Sequence, residues 1–227
     1  MKFLYLIILL CINFSAKGEE TLKLVTGNDY PPYSDEKLPD GGTFTAKVKQ
    51  ILNKLNIKYT IEFMPWARGY ELVKKGSYSA TFPYTYTEER NKEVLYLKKA
   101  ILTSKIYIYT HIKYKKKKSL DDFNGLVFCS PNGYYIEESI EAKIKKEEIK
   151  LQKQFDAKSC LLSILNNDAD FMILGSEHIK KYQDESSEIF KKITSLKNPI
   201  KEINLYIVFN KKIDKVIFNK IEKELTK

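Results

Sequence analysis

The sequence predicts an α/β fold built on a parallel β-sheet, and two patterns lead to this expectation. Segments 22–26, 57–63 and 79–82 have the short β-rich pattern of strands, whereas 44–55 and 65–75 place apolar residues at helical spacing. Strands separated by helices pair in parallel through right-handed crossovers. Ligands of such sheets bind at the carboxyl ends of the strands, so the loops after these strands mark the candidate site.

A second alternation follows a long β-rich run at 101–112. Its predicted strands are 126–129, 151–155, 170–174 and 203–209, and its predicted helices are 134–150, 159–166 and 213–225. An Asn132-Gly133 turn separates the first strand of this half from its first helix. The two halves resemble each other only in the order of their elements.

The composition is that of a folded globular chain, large enough for one large domain or two small ones. The 227 residues are 43% hydrophobic and 30% charged, and they include only two histidines. We therefore expect no metal site built from histidine. A phosphate loop and a dinucleotide fingerprint are both missing from the sequence, so we expect no cofactor.

The first 18 residues have the pattern of a secretory signal peptide. Lys2 precedes an apolar stretch at 3–14, and Ala16-Lys17-Gly18 is a small-x-small cleavage pattern. Because the apolar stretch is too short to span a bilayer, we expect a periplasmic or secreted protein with a cleaved leader at 1–18. Cys11 leaves a lipoprotein or a retained anchor as the alternative.

The net charge of +10 arises almost wholly from lysine. For an exported protein it indicates a solvated basic surface, and the lysine run at 115–118 is predicted to be an exposed loop. No stacking aromatics interrupt that run, so we expect no nucleic-acid partner. In an oxidising compartment Cys129 and Cys160 could form a disulfide or remain two buried thiols, and both possibilities stay open.

Only two of the 39 basic residues are arginines, Arg68 and Arg90. An arginine among so many lysines suggests a position where a point charge does not suffice. The planar guanidinium can bind a carboxylate through two parallel hydrogen bonds. Both arginines are therefore candidate anion contacts.

The order of four motifs resembles the bacterial extracellular solute-binding proteins of the polar amino acid type. The motifs are the segment Thr26-Gly27-Asn28-Asp29-Tyr30-Pro31-Pro32-Tyr33, the pair Gly41-Gly42, the segment Phe63-Met64-Pro65-Trp66-Ala67-Arg68, and the segment Phe82-Pro83-Tyr84-Thr85-Tyr86-Thr87-Glu88-Glu89-Arg90. The third motif makes the chain most similar to a compact branch with a Pro-Trp-Ala-Arg segment.

This resemblance implies two α/β lobes, each a β-sheet flanked by helices, joined by two crossovers near 105–110 and 201–205. Lobe 1 would comprise 21–108 plus 204–227, and lobe 2 would comprise 109–203. A small ligand would be trapped in the cleft by hinge closure. The resemblance further implies a non-enzymatic monomer that delivers its ligand to a membrane permease of an ABC transporter or presents it to a sensor.

In lobe 1 the resemblance assigns Arg90 as the clamp for a ligand carboxylate and Thr85 as its hydroxyl partner. Tyr30 and Tyr33 would form an aromatic wall. As alternatives, Arg90 could pair with Glu93, Thr85 could cap a loop, and the tyrosines could pack a loop.

Two further residues of lobe 1 are candidates on the same resemblance. Trp66 would be a wall of the cleft or would pack beneath its helix. Arg68 would be a second anion contact or part of an ion pair on the surface.

In lobe 2 the resemblance places Asn132, Gly133, Tyr134 and Tyr135 on a turn that faces the ligand. The family often has an acidic residue after the strand at 170–174, where it holds the ligand amino group. Gly175 occupies that position in this chain. The departure favours a carboxylate-bearing ligand in general over a standard amino acid.

Glu177 is the one nearby acidic residue that could replace the missing carboxylate. It is also the only candidate general acid for the enzymatic alternative, a cyclic carboxylate dehydratase of the same fold. His178, next to it, is predicted to be a surface histidine.

Overall fold

The computed structural model describes residues 21–185 and 191–226, so the candidate leader at 1–18 lies outside the described residues. The strands are β1 Leu22–Thr26, β2 Tyr59–Phe63, β3 Ala80–Thr85, β4 Leu95–Tyr96, β5 Leu102–His111, β6 Val127–Pro131, β7 Lys150–Gln154, β8 Phe171–Gly175, β9 Ile193–Ser195 and β10 Lys201–Phe209. The helices are α1 Thr43–Lys54, α2 Trp66–Lys75, α3 Glu88–Glu93, α4 Glu138–Lys145, α5 Ala157–Leu165, α6 Ser176–Glu185 and α7 Lys215–Leu225.

The strands pair in the order β2-β1-β3-β10-β5-β8-β6-β7, with β4 on β10 and β9 on β5. β1 is parallel to β2 and β3, and β6 is parallel to β7 and β8. β5 and β10 are antiparallel to each other and to these neighbours, so they join two parallel half-sheets. This arrangement confirms the predicted two-lobed α/β fold. Below, lobe 1 denotes β1–β3 with α1–α3 and α7, and lobe 2 denotes β6–β8 with α4–α6.

The chain passes between the lobes along β5 and β10, which pair over Leu102–Ile106 and Lys201–Leu205. β5 contains the predicted crossover near 105–110, and β10 contains the one near 201–205. The division of the chain at 108/109 and 203/204 falls inside the two strands, and these exact boundaries stay a prediction.

Each lobe has a core of buried aromatic and aliphatic side chains. In lobe 1, Phe44 of α1 stacks on Phe82 of β3 with ring centroids 5.7 Å apart. In lobe 2, Phe171 packs against Phe128 at 5.2 Å, and β8 is buried along its whole length. A strand that is covered on both faces has a continuous apolar sequence, which is why this segment was recognisable as a strand.

A disulfide joins Cys129 of β6 to Cys160 of α5, with Cα atoms 5.6 Å apart. The two thiols left open by the sequence are therefore bridged. The Asp156 side chain accepts a 2.8 Å hydrogen bond from Ser159 N and caps the start of α5. The cap stabilises the start of α5, and the disulfide links the helix covalently to the sheet of lobe 2.

The predicted helix over 134–150 is wrong in extent, because α4 covers only Glu138–Lys145. The Glu137 side chain accepts a hydrogen bond from Ser139 N at 2.8 Å, which fixes the helix start there. At the other end, Glu147 adopts a left-handed φ of 60°. The Glu and Lys spacing suits a helix throughout, but Tyr134, which precedes the helix start, instead bonds across the lobes to Asp29 O.

Helix α6 was not predicted, although it follows β8 directly. Its apolar positions are few, and among its described side chains only Ile179 and Tyr182 are buried apolar residues. No helix in the described ranges is long and apolar enough to span a bilayer.

Candidate functional site

A cavity of about 60 Å³ lies between the lobes at the carboxyl ends of the central strands. Six of the ten predicted site residues line it, namely Tyr30, Trp66, Thr85, Arg90, Tyr134 and Tyr135. Aliphatic side chains from β5, β8 and β10 form much of the remaining wall. The cavity is therefore the place where six of the ten predicted residues meet.

Arg90 is held at this cavity by the start of α3. The Thr87 side chain caps the helix by accepting from Arg90 N at 3.1 Å. The guanidinium donates from Nη1 to the Thr85 carbonyl at 3.1 Å and from Nη2 to the Gly133 carbonyl at 3.3 Å. A guanidinium has five donors, so these two bonds leave donors for a ligand.

The charge of Arg90 has no carboxylate partner within 4.0 Å in the described part of the chain. Glu93, the alternative partner, instead forms an ion pair with Lys74 at 2.5 Å and accepts from Tyr70 at 2.9 Å. The guanidinium carbon lies 5.0 Å from the ring centroid of Tyr84, a cation–π contact. Arg90 is thus a half-buried, unneutralised cation beside a cavity.

The polar ends of the surrounding aromatic side chains bond to main-chain carbonyls. Trp66 Nε1 donates to Asn28 O at 2.9 Å, Tyr84 OH donates to Trp66 O at 2.9 Å, and Tyr134 OH donates to Asp29 O at 2.7 Å. Burial raises the pKa of both Tyr84 and Tyr134. The hydroxyls therefore remain protonated donors.

Trp66 both packs and lines the cavity. Its ring lies edge-on to Tyr30 at 6.0 Å and to Tyr134 at 6.2 Å. The indole also lies on Gly27, where an added Cβ would be 2.2 Å from Trp66 Cε2. Only glycine permits this approach, so β1 is followed directly by a residue that makes room for the indole.

Four predicted residues do not line the cavity. Tyr33 is buried behind Tyr30, with ring centroids 5.2 Å apart, and its hydroxyl donates to Ser104 Oγ at 3.3 Å. Asn132 is exposed, and its main-chain N–H donates to Gln154 O at 2.9 Å.

Arg68 and Glu177 are also exposed. Arg68 follows Trp66 by two positions on α2, which is about 200° around a helix, so it lies on the opposite face. Glu177 forms an ion pair with Lys180 at 2.8 Å on the outer side of α6. Neither contributes a charge to the cavity.

The position expected to carry an acidic residue, Gly175, does line the cavity. Among the described residues that line it, no carboxylate is present and Arg90 is the only charged side chain. The site is therefore cationic, aromatic and aliphatic.

Asp29 links the two lobes and was not recognised from the sequence. Its carboxylate accepts from Ala157 N at 2.7 Å and from the Tyr182 hydroxyl, and its carbonyl accepts from Tyr134. Burial raises the pKa of Asp29, and the hydrogen bond from Tyr182 opposes that rise. Its neighbour along the loop, Asp35, forms a second interlobe contact with Lys181 at 3.3 Å.

His178 was predicted to be a surface histidine, and this prediction is wrong. The side chain is fully buried, with its ring edge-on to Tyr30 at 5.0 Å and its Nε2 3.4 Å from the Tyr182 hydroxyl. Burial, with a contribution from Lys181, lowers its pKa to about 3. The residue was misplaced because α6, which turns it toward lobe 1, was not recognised.

Across residues 21–185 and 191–226, no group of three or more His, Cys, Asp or Glu side chains is arranged to hold a metal ion. No protein-family model matches the chain. No curated protein matches it either.

Solved structures match it over nearly the whole length. An ancestral arginine-binding protein bound to arginine has a TM-score of 0.77 at 20% identity, with 91% of each chain covered. A histidine kinase sensor domain with similarity to periplasmic binding proteins has a TM-score of 0.79 at 12% identity, covering 92% of this chain and 90% of that one. A putative binding component of an ABC transporter from Wolinella succinogenes, complexed with lysine, has a TM-score of 0.73 at 16% identity, covering 91% and 88%. The chain therefore has the periplasmic-binding-protein fold.

Proposed function

We propose that this protein is a solute-binding protein that captures a small carboxylate-bearing ligand in the cleft between its lobes. The observation that carries the proposal is the half-buried guanidinium of Arg90, which has unused donors and no carboxylate partner among the described residues. A planar fork of this kind binds a carboxylate through two charge-assisted hydrogen bonds. Tyr30, Trp66, Tyr134 and Tyr135 would enclose the body of the ligand.

The similar structures support binding as the activity. One of them is an arginine-binding protein, one is a putative binding component of an ABC transporter, and one is a sensor domain of a histidine kinase. For this chain, delivery to a membrane permease and presentation to a sensor are both consistent with capture in the cleft. We propose capture in the cleft, with a membrane permease as the favoured partner.

Location outside the cytoplasm belongs to the same proposal. The leader pattern at 1–18 supports export, and so does the Cys129–Cys160 disulfide, since disulfides persist in oxidising compartments. The ligand would then be encountered outside the inner membrane or the cell.

A dehydratase of the same fold remains the enzymatic alternative, and it needs a general acid within about 3 Å of the reacting proton. Its only sequence candidate, Glu177, is exposed and paired with Lys180. The location of Glu177 therefore favours binding without turnover.

A thermal-shift screen of the purified protein against amino acids, small organic acids and polyamines tests the proposal. At 100 times its dissociation constant a true ligand stabilises the fold by about 2.7 kcal/mol. We expect at least one carboxylate to do so, and mass spectrometry to recover it unchanged after long incubation. Turnover of a cyclic carboxylate that disappears in Glu177→Gln would instead support the dehydratase, and stabilisation by polyamines alone would contradict carboxylate capture.

A further inference from the structure

We propose that the cleft selects small apolar monocarboxylates that carry no ammonium group, and so discriminates against the corresponding amino acids. This inference rests on the proposed function, since it assumes that Arg90 receives the carboxylate. It goes further by naming the class of ligand. Four observations support it.

The first observation is the charge of the cavity. Arg90 is the only charged side chain among the described residues that line it. A bound amino acid would bring an ammonium group into the same cavity with no carboxylate to pair with it. Leaving a buried charge unpaired is strongly unfavourable.

The second observation concerns the polar groups nearest Arg90 that could receive an ammonium. The Thr85 carbonyl accepts from both Arg90 and Tyr96, and the Gly133 carbonyl accepts from Arg90. The ring of Tyr84 already receives the Arg90 guanidinium at 5.0 Å, and a second cation would be repelled there. Asp29, an interlobe carboxylate outside the cavity lining, already accepts from Ala157 N and from Tyr182.

The third observation is that Gly175 occupies the position where an acidic residue would face the cavity, and that Ser104 of β5 lies against it. A Cβ added to Gly175 would lie 2.9 Å from Ser104 Oγ, a separation that real Cβ atoms essentially never show. An aspartate at this position therefore requires the Ser104 hydroxyl to rotate away or to be removed. With glycine at 175, this position supplies no carboxylate for an ammonium group.

The fourth observation is the size and polarity of the wall. Five of the lining side chains are aliphatic, namely Ile106, Ile173, Leu174, Ile203 and Leu205. The cavity volume is about 60 Å³. At roughly 10–15 Å³ for each water-sized probe it has room for about four to six waters, so it suits a short aliphatic chain.

Two pairs of compounds test the inference by isothermal titration calorimetry. Valine and 3-methylbutanoate differ only in the ammonium group, and so do leucine and 4-methylpentanoate. We expect each amine-free acid to bind at least about 100-fold more tightly than its amino acid, the size of effect that an unpaired buried charge produces. Equal or tighter binding of either amino acid would overturn the inference and leave carboxylate capture standing.

A pair of variants tests the role of Gly175. In Ser104→Ala/Gly175→Asp the steric conflict is removed and a carboxylate is restored, and Ser104→Ala alone is the matched control. We expect the double variant to gain affinity for valine and lose affinity for 3-methylbutanoate relative to the control. An unchanged ratio of the two affinities would overturn the assignment of discrimination to position 175. If the protein binds neither these compounds nor any carboxylate of the wider screen, the proposed function itself fails, which is a different outcome from a preference for amino acids.

Discussion

Arg90 Nη2 donates a 3.3 Å hydrogen bond to the carbonyl oxygen of Gly133, and this bond crosses from lobe 1 to lobe 2. The residue assigned to hold the ligand carboxylate is thus bound to the turn that covers the other side of the cavity. On the proposed function, ligand capture and lobe closure would be coupled through one guanidinium. Hinge closure around a ligand is a known mode of motion in this class of fold.

Gly133 has a positive φ of 82° and lies against α2, where an added Cβ would be 2.8 Å from Ala67 N. We predict that Gly133→Ala opposes closure and weakens ligand binding by about 1–3 kcal/mol, the usual cost of overpacking. Calorimetry with the best ligand of the screen measures this loss.

Gly125→Ala is the matched control. Gly125 also has a positive φ, 80°, but no atom lies within 4 Å of its added Cβ. Both variants should lose about 1–2 kcal/mol of unfolding free energy from backbone strain. Only Gly133→Ala should lose affinity, and an equal loss in Gly125→Ala would contradict the steric explanation.

Trp66 is the only tryptophan, so its fluorescence reports on the cavity wall without interference. Since the indole lines the cavity between Tyr30 and Tyr134, ligand binding should reduce its accessibility. We expect weaker quenching by acrylamide and a shifted emission maximum when ligand is added. If a ligand established by calorimetry changes neither, Trp66 does not contact the ligand site.

His178 should make stability depend on pH. Its folded pKa is about 3, below the unfolded value near 6.5, so between these limits the unfolded state binds more protons. The free energy of unfolding should therefore be highest above pH 6.5. It should fall by about 1.4 kcal/mol for each pH unit as the pH drops from 6.5 toward 3. Urea unfolding of the wild type and of His178→Asn measures this, because contributions from Asp29, Lys181 and other groups largely cancel in the difference.

Between pH 6.5 and 4.5 the wild type should lose about 2–3 kcal/mol more than His178→Asn. Parallel stability curves for the two proteins would show that His178 is protonated in the folded state, contrary to its burial.

The Cys129–Cys160 disulfide closes a loop with a sequence separation of 31. By chain entropy, opening such a loop costs about 3–4 kcal/mol of unfolding free energy. We predict this loss for Cys129→Ala/Cys160→Ala by denaturant unfolding, with ligand affinity retained because neither cysteine lines the cavity. A loss below about 1 kcal/mol would show that α5 is held on the sheet by packing alone.

The order of elements could be predicted because strands such as β8 and helices such as α2 carry strong periodicity. Their lengths were less predictable, since α4 is shortened where Tyr134 must reach Asp29 across the lobes. The bond from Tyr134 to Asp29 is a tertiary contact, and the local spacing of Glu and Lys does not predict it.

The predicted residues that line the cavity were selected by residue type and by resemblance. Arg90 was marked by the rarity of arginine in this chain, and Trp66 by being unique. Arg68 shares the first signal, but it follows Trp66 by two positions on α2 and therefore lies on the opposite face, which helical spacing alone could have indicated. Tyr84 was not singled out, because nothing local predicts that Arg90 would lie over its ring.

Capture of the ligand carboxylate by Arg90 is tested most directly by calorimetry on the wild type, Arg90→Ala, Arg90→Lys and Arg68→Ala. Each protein is titrated with the best carboxylate of the screen and with its neutral carboxamide. We expect the wild type and Arg68→Ala to bind the carboxylate and not the carboxamide. Arg90→Ala should lose about 2–5 kcal/mol of binding free energy, as when one partner of a buried charge pair is removed, and lysine should not restore it because it lacks the planar fork. Unchanged affinity in Arg90→Ala, or equal binding of the carboxylate and the carboxamide by the wild type, would contradict the claim that this protein captures its ligand through Arg90.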